Sequence, residues 1–512
     1  MARKHPVFDL IKSLDLNEKR YFKLHAGMQK KDSILFRLFN LIAKMREYEE
    51  SKIYEEFEGE KVLEQLSVTK NHLHLMILKA MRTYHAKWSV DAQLTGLLQD
   101  LQFLFEKRLV SQCKLILRKL RRVSEAHGRH GIMLEVLEWE SKMLAVEFFV
   151  GKDEADIDRI SEEYYERLGM LQNEREYQDL QHKLFNNYYK VGIERKNENY
   201  KTNDQIVNQF ALKQRDRALT PRSQSIYLNI HAQYNKVNGN WEKAYEFRTE
   251  LKELLQSREK LEQGDYLNIF TATSNLIPIA LKLEKYEEVD NLIGELKGLE
   301  NEKAFKFTKE MEVRVLIQTA MAELALCVHL GRKDEGLAVV DRVVENLDEI
   351  MVKGRPFPVL HLYYNVSYFY TSIGEFSPAL RWLNKIINDT AIKSIQDLHA
   401  STRLLTMILQ FELGRSELLE YLARSTNRYL NKLEGLYEFE NLMLKFMKKH
   451  SRVSFEAELQ EHLVQLKNDL DQVSYEPGER NALSTLDLPS WVQSKIENRP
   501  MCEVMQERNL TS

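Results

Sequence analysis

Residues 363–379 read Tyr363-Tyr364-Asn365-Val366-Ser367-Tyr368-Phe369-Tyr370-Thr371-Ser372-Ile373-Gly374-Glu375-Phe376-Ser377-Pro378-Ala379: a helical apolar pattern, a glycine, and a second helix that starts at once. The same punctuation stands at Gly239-Asn240-Trp241 with Ala244, at Glu284-Lys285-Tyr286 with Val289, at Gly331-Arg332-Lys333 with Gly336, and at Gly414-Arg415-Ser416 with Leu419. Its anchors, residues 239, 284, 331, 374 and 414, are 45, 47, 43 and 40 residues apart. Those intervals lie inside the roughly 20–50 residue range of stacked repeats. Each copy reads as one antiparallel helical hairpin. A hairpin cannot bury its apolar face alone, so neighbours stack and leave one long surface free for another macromolecule.

Composition agrees with long helices. Glycine and proline together are 28 of 512 residues, about half their usual share. Charged residues at 29% beside hydrophobic residues at 43% suit amphipathic helices with one apolar stripe and one solvated face. The formal charge of −3 argues against a chain-wide nucleic-acid or membrane-surface binder, since phosphate binding needs a concentrated positive field. Cys113, Cys327 and Cys502 are odd in number and far apart, which reads as reduced thiols rather than a disulfide framework. The start, from Met1 to Asp9, acquires charge before any apolar stretch develops, and no window approaches about 18 consecutive apolar residues. A cytoplasmic protein without a membrane partner is expected.

Three segments follow. Residues 1–90 carry no copy of the repeat and read as a helical N-terminal cap, basic at its start. Asp15-Leu16-Asn17-Glu18 is a helix start in which Asp15 and Glu18 cap each other; the helix it opens carries Tyr21, Phe22 and Leu24 on its apolar side. The dense apolar run Ile34–Ile42 predicts a helix packed on two sides. Residues 91–470 hold the hairpins. Leu94, Leu97, Leu98, Leu101, Leu104 and Phe105, then Leu115, Ile116, Leu120 and Val123, follow the three-and-four spacing of buried stripes. Turns are read at Gly151-Lys152-Asp153 and around Arg195–Asn199, and Thr220-Pro221 places a proline in a first helical turn. Residues 471–512 read as a loop around Tyr475–Glu479, a short helix from Leu488 whose Trp491 covers the end of the stack, and a mobile end from Asn498.

Tyr363, Val366, Ser367, Tyr370, Gly374, Phe376 and Ala379 give, in order, large, aliphatic, small, aromatic, turn glycine, aromatic and small residues. That order resembles the tetratricopeptide repeat, where small residues are needed because two helix backbones cross closely. Asn235, Ile277, Leu324 and Met407 depart from it in the other copies, and intervals of 40 or more exceed its 34-residue period. The chain thus resembles a tetratricopeptide-like solenoid with lengthened helices over roughly 91–470, and is similar to an uncharacterised family of bacterial tetratricopeptide-like proteins. The resemblance implies an all-α, right-handed superhelix of antiparallel hairpins.

Sites for chemistry are scarce. No phosphate-binding glycine loop, dinucleotide fingerprint, nucleophile elbow or paired-cysteine site occurs in the sequence, so no enzyme, cofactor or metal is expected. His72 and His74 are two apart and point to different sides of a helix, while His127 and His130 lie across a turn without a third ligand. Positive charge supplies an alternative function. Through residue 46 eleven Lys and Arg stand against four Asp and Glu, and Lys114, Arg118 and Arg122 line one helical face. Residues 60–84 can be drawn as helix, turn, helix, offering Lys70, His74 and Lys79 to a groove. That alternative is a nucleic-acid-binding regulator with a helix-turn-helix-like cap and a repeat region that senses a ligand. The acidic run Glu47–Glu60 offers the cap its own neutralisation.

The resemblance further implies that the first helix of each hairpin lines a concave groove. It nominates Asn229, Gln233, Lys236, Ser274, Gln318, His361, Tyr364 and Tyr368 as partner-binding residues. Amides, a cation and tyrosines suit an extended peptide, so the main expectation is a non-catalytic scaffold for a protein or peptide partner. Packing between hairpins is the competing role for Tyr364 and Tyr368.

Overall fold

The computed structural model describes residues 5–27, 33–151, 153–191, 203–258, 261–433, 436–450, 456–473, 479, 483 and 486–511. Among them the chain is helical, joined by turns and short 3-10 segments, with no strand. It forms two compact units, Met1–Leu168 and Gly169–Ser512. The division falls inside one 38-residue helix, Glu154–Val191, whereas the change of sequence pattern put it near residue 90. The turn expected around 195–199 and most of the loop at 475–479 lie outside the described residues.

In the first unit, α1 (Pro6–Ser13), α2 (Leu16–Gly27), α3 (Ile34–Lys44), α4 (Glu50–Glu56) and α5 (Leu66–His85) enclose a core that includes Ile11, Phe22, Phe39, Ile42, Ile53 and Leu73. The predicted cap forms. The Glu18 amide donates to Asp15 Oδ1 at 2.7 Å and the Asp15 amide to Glu18 Oε2 at 2.9 Å. Phe22 is fully buried but Leu24 is 65% exposed, because positions two apart on a helix point to different sides. There follow α6 (Val90–Glu106), α7 (Val110–Ala126), α8 (His130–Val146) and α9 (Glu154–Val191). Leu94, Leu97 and Leu101 pack with Cys113, Leu117 and Leu120; Leu115, expected in that stripe, is exposed.

The second unit carries the hairpins. They are α10 (Pro221–Val237) with α11 (Trp241–Gln256), α12 (Gln263–Lys282) with α13 (Tyr286–Gly298), and α14 (Lys309–Leu330) with α15 (Lys333–Glu345). After α16 (Leu347–Lys353) come α17 (Pro356–Ser372) with α18 (Phe376–Ile387), and α19 (Gln396–Glu412) with α20 (Ser416–Leu430). The second helices α11, α13 and α18 also pack on the first helix of the following hairpin, and α14 packs on α12 and α17. All five sequence anchors have left-handed backbone: Gly239 at φ 73°, Glu284 at 56°, Gly331 at 66°, Gly374 at 82° and Gly414 at 68°. After each one, an amide reaches back five residues to a carbonyl: Asn240 to Asn235, Lys285 to Ala280, Arg332 to Cys327, Glu375 to Tyr370 and Arg415 to Gln410, at 2.9–3.0 Å. This bond satisfies a carbonyl that the ending helix would otherwise leave orphaned.

Close crossings behave as the small residues require. Ser367 is fully buried and its Oγ donates to the Ala379 carbonyl at 2.9 Å, so α17 and α18 nearly touch. At Gly336 on α15, an added Cβ would stand 2.1 Å from the Phe369 ring of α17, so two hairpins interlock there.

The C-terminal part folds back on the hairpins. After α21 (Glu438–His450) and α22 (Glu456–Val473), α23 (Leu488–Glu497) and α24 (Met501–Thr511) follow, and α24 lies against α14 and α17. Met501, Cys502 and Met505 are buried, so residues 501–511 form a docked helix where the sequence suggested a mobile end. Trp491 is buried against Phe411 and Phe446, and its Nε1 donates to Glu412 Oε1 at 2.7 Å. It locks onto the fifth hairpin. Among the described residues one helix, Lys309–Leu330, is long and apolar enough to cross a membrane; in the fold it is the helix on which α12, α13, α15, α16, α17 and α24 all pack, which accounts for its apolar composition.

Two substitutions test this architecture by urea denaturation. Gly336→Ala is expected to destabilise by about 1–3 kcal/mol, because the Phe369 ring has no room to yield. Glu284→Gly is expected to stabilise by about 1 kcal/mol, because a side chain is strained at positive φ and the exposed Glu284 gains nothing from packing. An unchanged midpoint in either variant contradicts the corresponding turn or crossing.

Candidate functional site

Asn229, Gln233 and Lys236 stand at i, i+4 and i+7 on α10 and so share one helical face. Asn229 Oδ1 accepts from Arg248 Nη1 on α11; Gln233 is buried and Lys236 half-buried. Ser274 on α12 is half-buried, with its Oγ unpartnered within the protein. Gln318 on α14 is half-buried, and His361 on α17 keeps an exposed side chain.

Burial first, then the like charge of Arg248, lowers Lys236 to about 8. The two cations stand on the paired helices of the first hairpin.

The tyrosines have a different environment. Tyr364 is buried, its hydroxyl bonds Ser401, and its ring stacks with Tyr368 at 6.3 Å. Burial raises the Tyr368 hydroxyl well above its ordinary value, and that hydroxyl accepts from the Asp487 amide at 3.4 Å. Asp487 in turn pairs with Arg508 at 3.0 Å, and Glu412 pairs with Lys495 at 2.8 Å. The chain's own C-terminal helices thus cover this face at the third to fifth hairpins. Among the described residues, Asn229, Gln233, Lys236, Ser274, Gln318 and His361 make no hydrogen bond to that segment.

Several basic residues of the first unit are engaged by the protein itself. Lys70 Nζ bonds Tyr48 and Glu50, and Lys114 pairs with Glu147 at 2.6 Å. Arg118 turns back on the Lys114 carbonyl at 3.4 Å, whereas Lys79 and Arg122 are exposed and His74 is half-buried. Residues 61–65 are a 3-10 turn running directly into α5, so residues 60–84 lack the first helix of a helix-turn-helix. Residues 67–70 lie within α5, since no glycine or proline interrupts the helix there.

Sequence reading passed over Arg248, which is 3% exposed. The available signal was its spacing of 19 residues from Asn229, the same spacing that separates Arg342 from its partner Glu323 across another hairpin. No protein-family model and no curated protein matches this chain.

Protonation sets one testable property of this unit. His329, His399 and His450 are each lowered to about 4 from 6.5, with burial the first cause. Between those values the unfolded chain holds more protons than the folded one, so folding stability is full above about 6.5 and falls as the pH drops toward 4. His450 is buried with Nε2 3.1 Å from His462 Nδ1. The urea midpoint is expected to fall over that window, and His450→Gln is expected to flatten part of the fall. A midpoint that stays level from 6.5 to 4 contradicts the burial of these rings.

Proposed function

We propose that the second unit is a non-catalytic scaffold in which the first helices of a tetratricopeptide-like superhelix hold an extended segment of a protein partner. The observation that carries this reading is the hairpin turn repeated at five left-handed anchors, each with the same backward bond to the ending helix. A curved layer of first helices has a concave side, and its uncovered part presents amides, hydroxyls, a cation and an imidazole. Amide side chains can pair with a peptide backbone in either direction, which suits recognition of an extended chain. Residues 221–430 supply the hairpins for such a groove. The C-terminal helices close its far half and leave the half nearer α10 as the receiving surface. A cytoplasmic location belongs to the same proposal and rests on the three reduced, buried cysteines.

The test is affinity capture from lysate of the source cells, comparing the natural chain with a Lys236→Ala, Gln318→Ala, His361→Ala variant. All three side chains retain exposure, so the fold is expected to survive, as circular dichroism can verify. The scaffold reading expects the captured partners to be lost from the variant. The same partners captured by both proteins would overturn it.

A further inference from the structure

Among the described residues, Arg248 is a buried cation without a matching acid. Its Nη1 donates to the neutral Asn229, and its Nε has no hydrogen-bond partner among them. Burying an ion without an opposite charge is costly, and the effective penalty is several kcal/mol. Elsewhere this fold avoids that penalty. Arg342 meets Glu323 across the same hairpin spacing, and Arg121 lies between Glu140 and Glu163 at 2.6 and 2.8 Å. Carboxylates raise Arg121 above its ordinary value, whereas burial alone lowers Arg248 to about 10. Among the described residues no acidic group offsets the burial of Lys236 either. Two basic side chains of the first hairpin thus carry positive charge that the described part of the protein leaves uncompensated.

We propose that Arg248 and Lys236, together with Asn229, form a binding site for a doubly charged oxyanion, with a phosphate group as the chemical class. Two cations match a dianion better than a single carboxylate. The bond from Nη1 to Asn229 fixes the guanidinium plane and leaves its Nε edge for the planar, paired donation that phosphate oxygens accept. Lys236, two helical turns from Asn229 on the same face, adds a mobile point charge. Anion binding would also favour the protonated form of Lys236, so uptake of protons accompanies binding. The site lies on the face assigned above to a partner, but it needs no peptide: a phosphate site persists if the scaffold reading fails, and a groove for an uncharged segment persists if the phosphate site fails.

Isothermal titration and thermal unfolding of the full chain at low salt, with inorganic phosphate and with O-phosphoserine, test the site. The natural chain is expected to bind and to be stabilised, more strongly with falling salt. Arg248→Met and Lys236→Met are each expected to weaken binding by about tenfold or more, the loss of a charge-assisted bond. Without phosphate, Arg248→Met is expected to melt at a higher temperature than the natural chain, because it removes an unpaired buried charge. Tighter binding of phosphoserine assigns the phosphate to a larger ligand, and equal binding assigns it to the free anion; either result sustains the site. Absence of binding by the natural chain, or equal binding by Lys236→Met with its fold intact, overturns the proposal.

Discussion

Each hairpin of the second unit depends on one residue that enters the left-handed region and lets the next amide bond a carbonyl five residues back. That bond fixes the angle at which the second helix leaves, and hence which faces of the pair meet. The crossings of Ser367 on Ala379 and of Phe369 on Gly336 follow from it. Where the residue is glycine the conformation is free of strain; at Glu284 the surrounding hairpin imposes it. The repeat is therefore one of backbone geometry more than of side chains, and for that reason Asn235, Ile277, Leu324 and Met407 can depart from the repeat pattern while the turns beside them stay alike.

The same principle explains what could be read from the chain. Four of the five anchors in the second unit are glycines with a helix restart after them, and the turns were found from these letters alone. In the first unit the equivalent left-handed positions are Arg108, Gly128 and Phe148, with the same backward bonds from Leu109, Arg129 and Phe149. Arg and Phe carry no turn signal in sequence, so the regularity there stayed hidden. Tertiary packing was also invisible at the other end. Residues 501–511 have no strong apolar stripe, and only the presence of α14 explains why Met501, Cys502 and Met505 are buried.

The polar face was legible by position and not by partner. Helical spacing placed Asn229, Gln233 and Lys236 together, but no local pattern reveals that Tyr368 meets Asp487 or that Glu412 meets Trp491 and Lys495, since these pairs join segments far apart in the chain. Arg248 was missed for a related reason. An arginine inside an amphipathic helix reads as surface until the fold shows it buried with an amide as its side-chain partner. The result is a face divided into a half sealed by the chain itself and a half where buried positive charge is uncompensated.

The central claim is that the hairpins lean in one sense, so that the first helices of the first and fourth hairpins approach each other. Spin labels at Lys236→Cys and His361→Cys, read by pulsed electron resonance distance measurement, test it directly, since the natural cysteines are buried. The curved arrangement predicts a narrow distribution well under the roughly 30 Å of a flat row. A distribution centred at or beyond that separation would contradict the curved array.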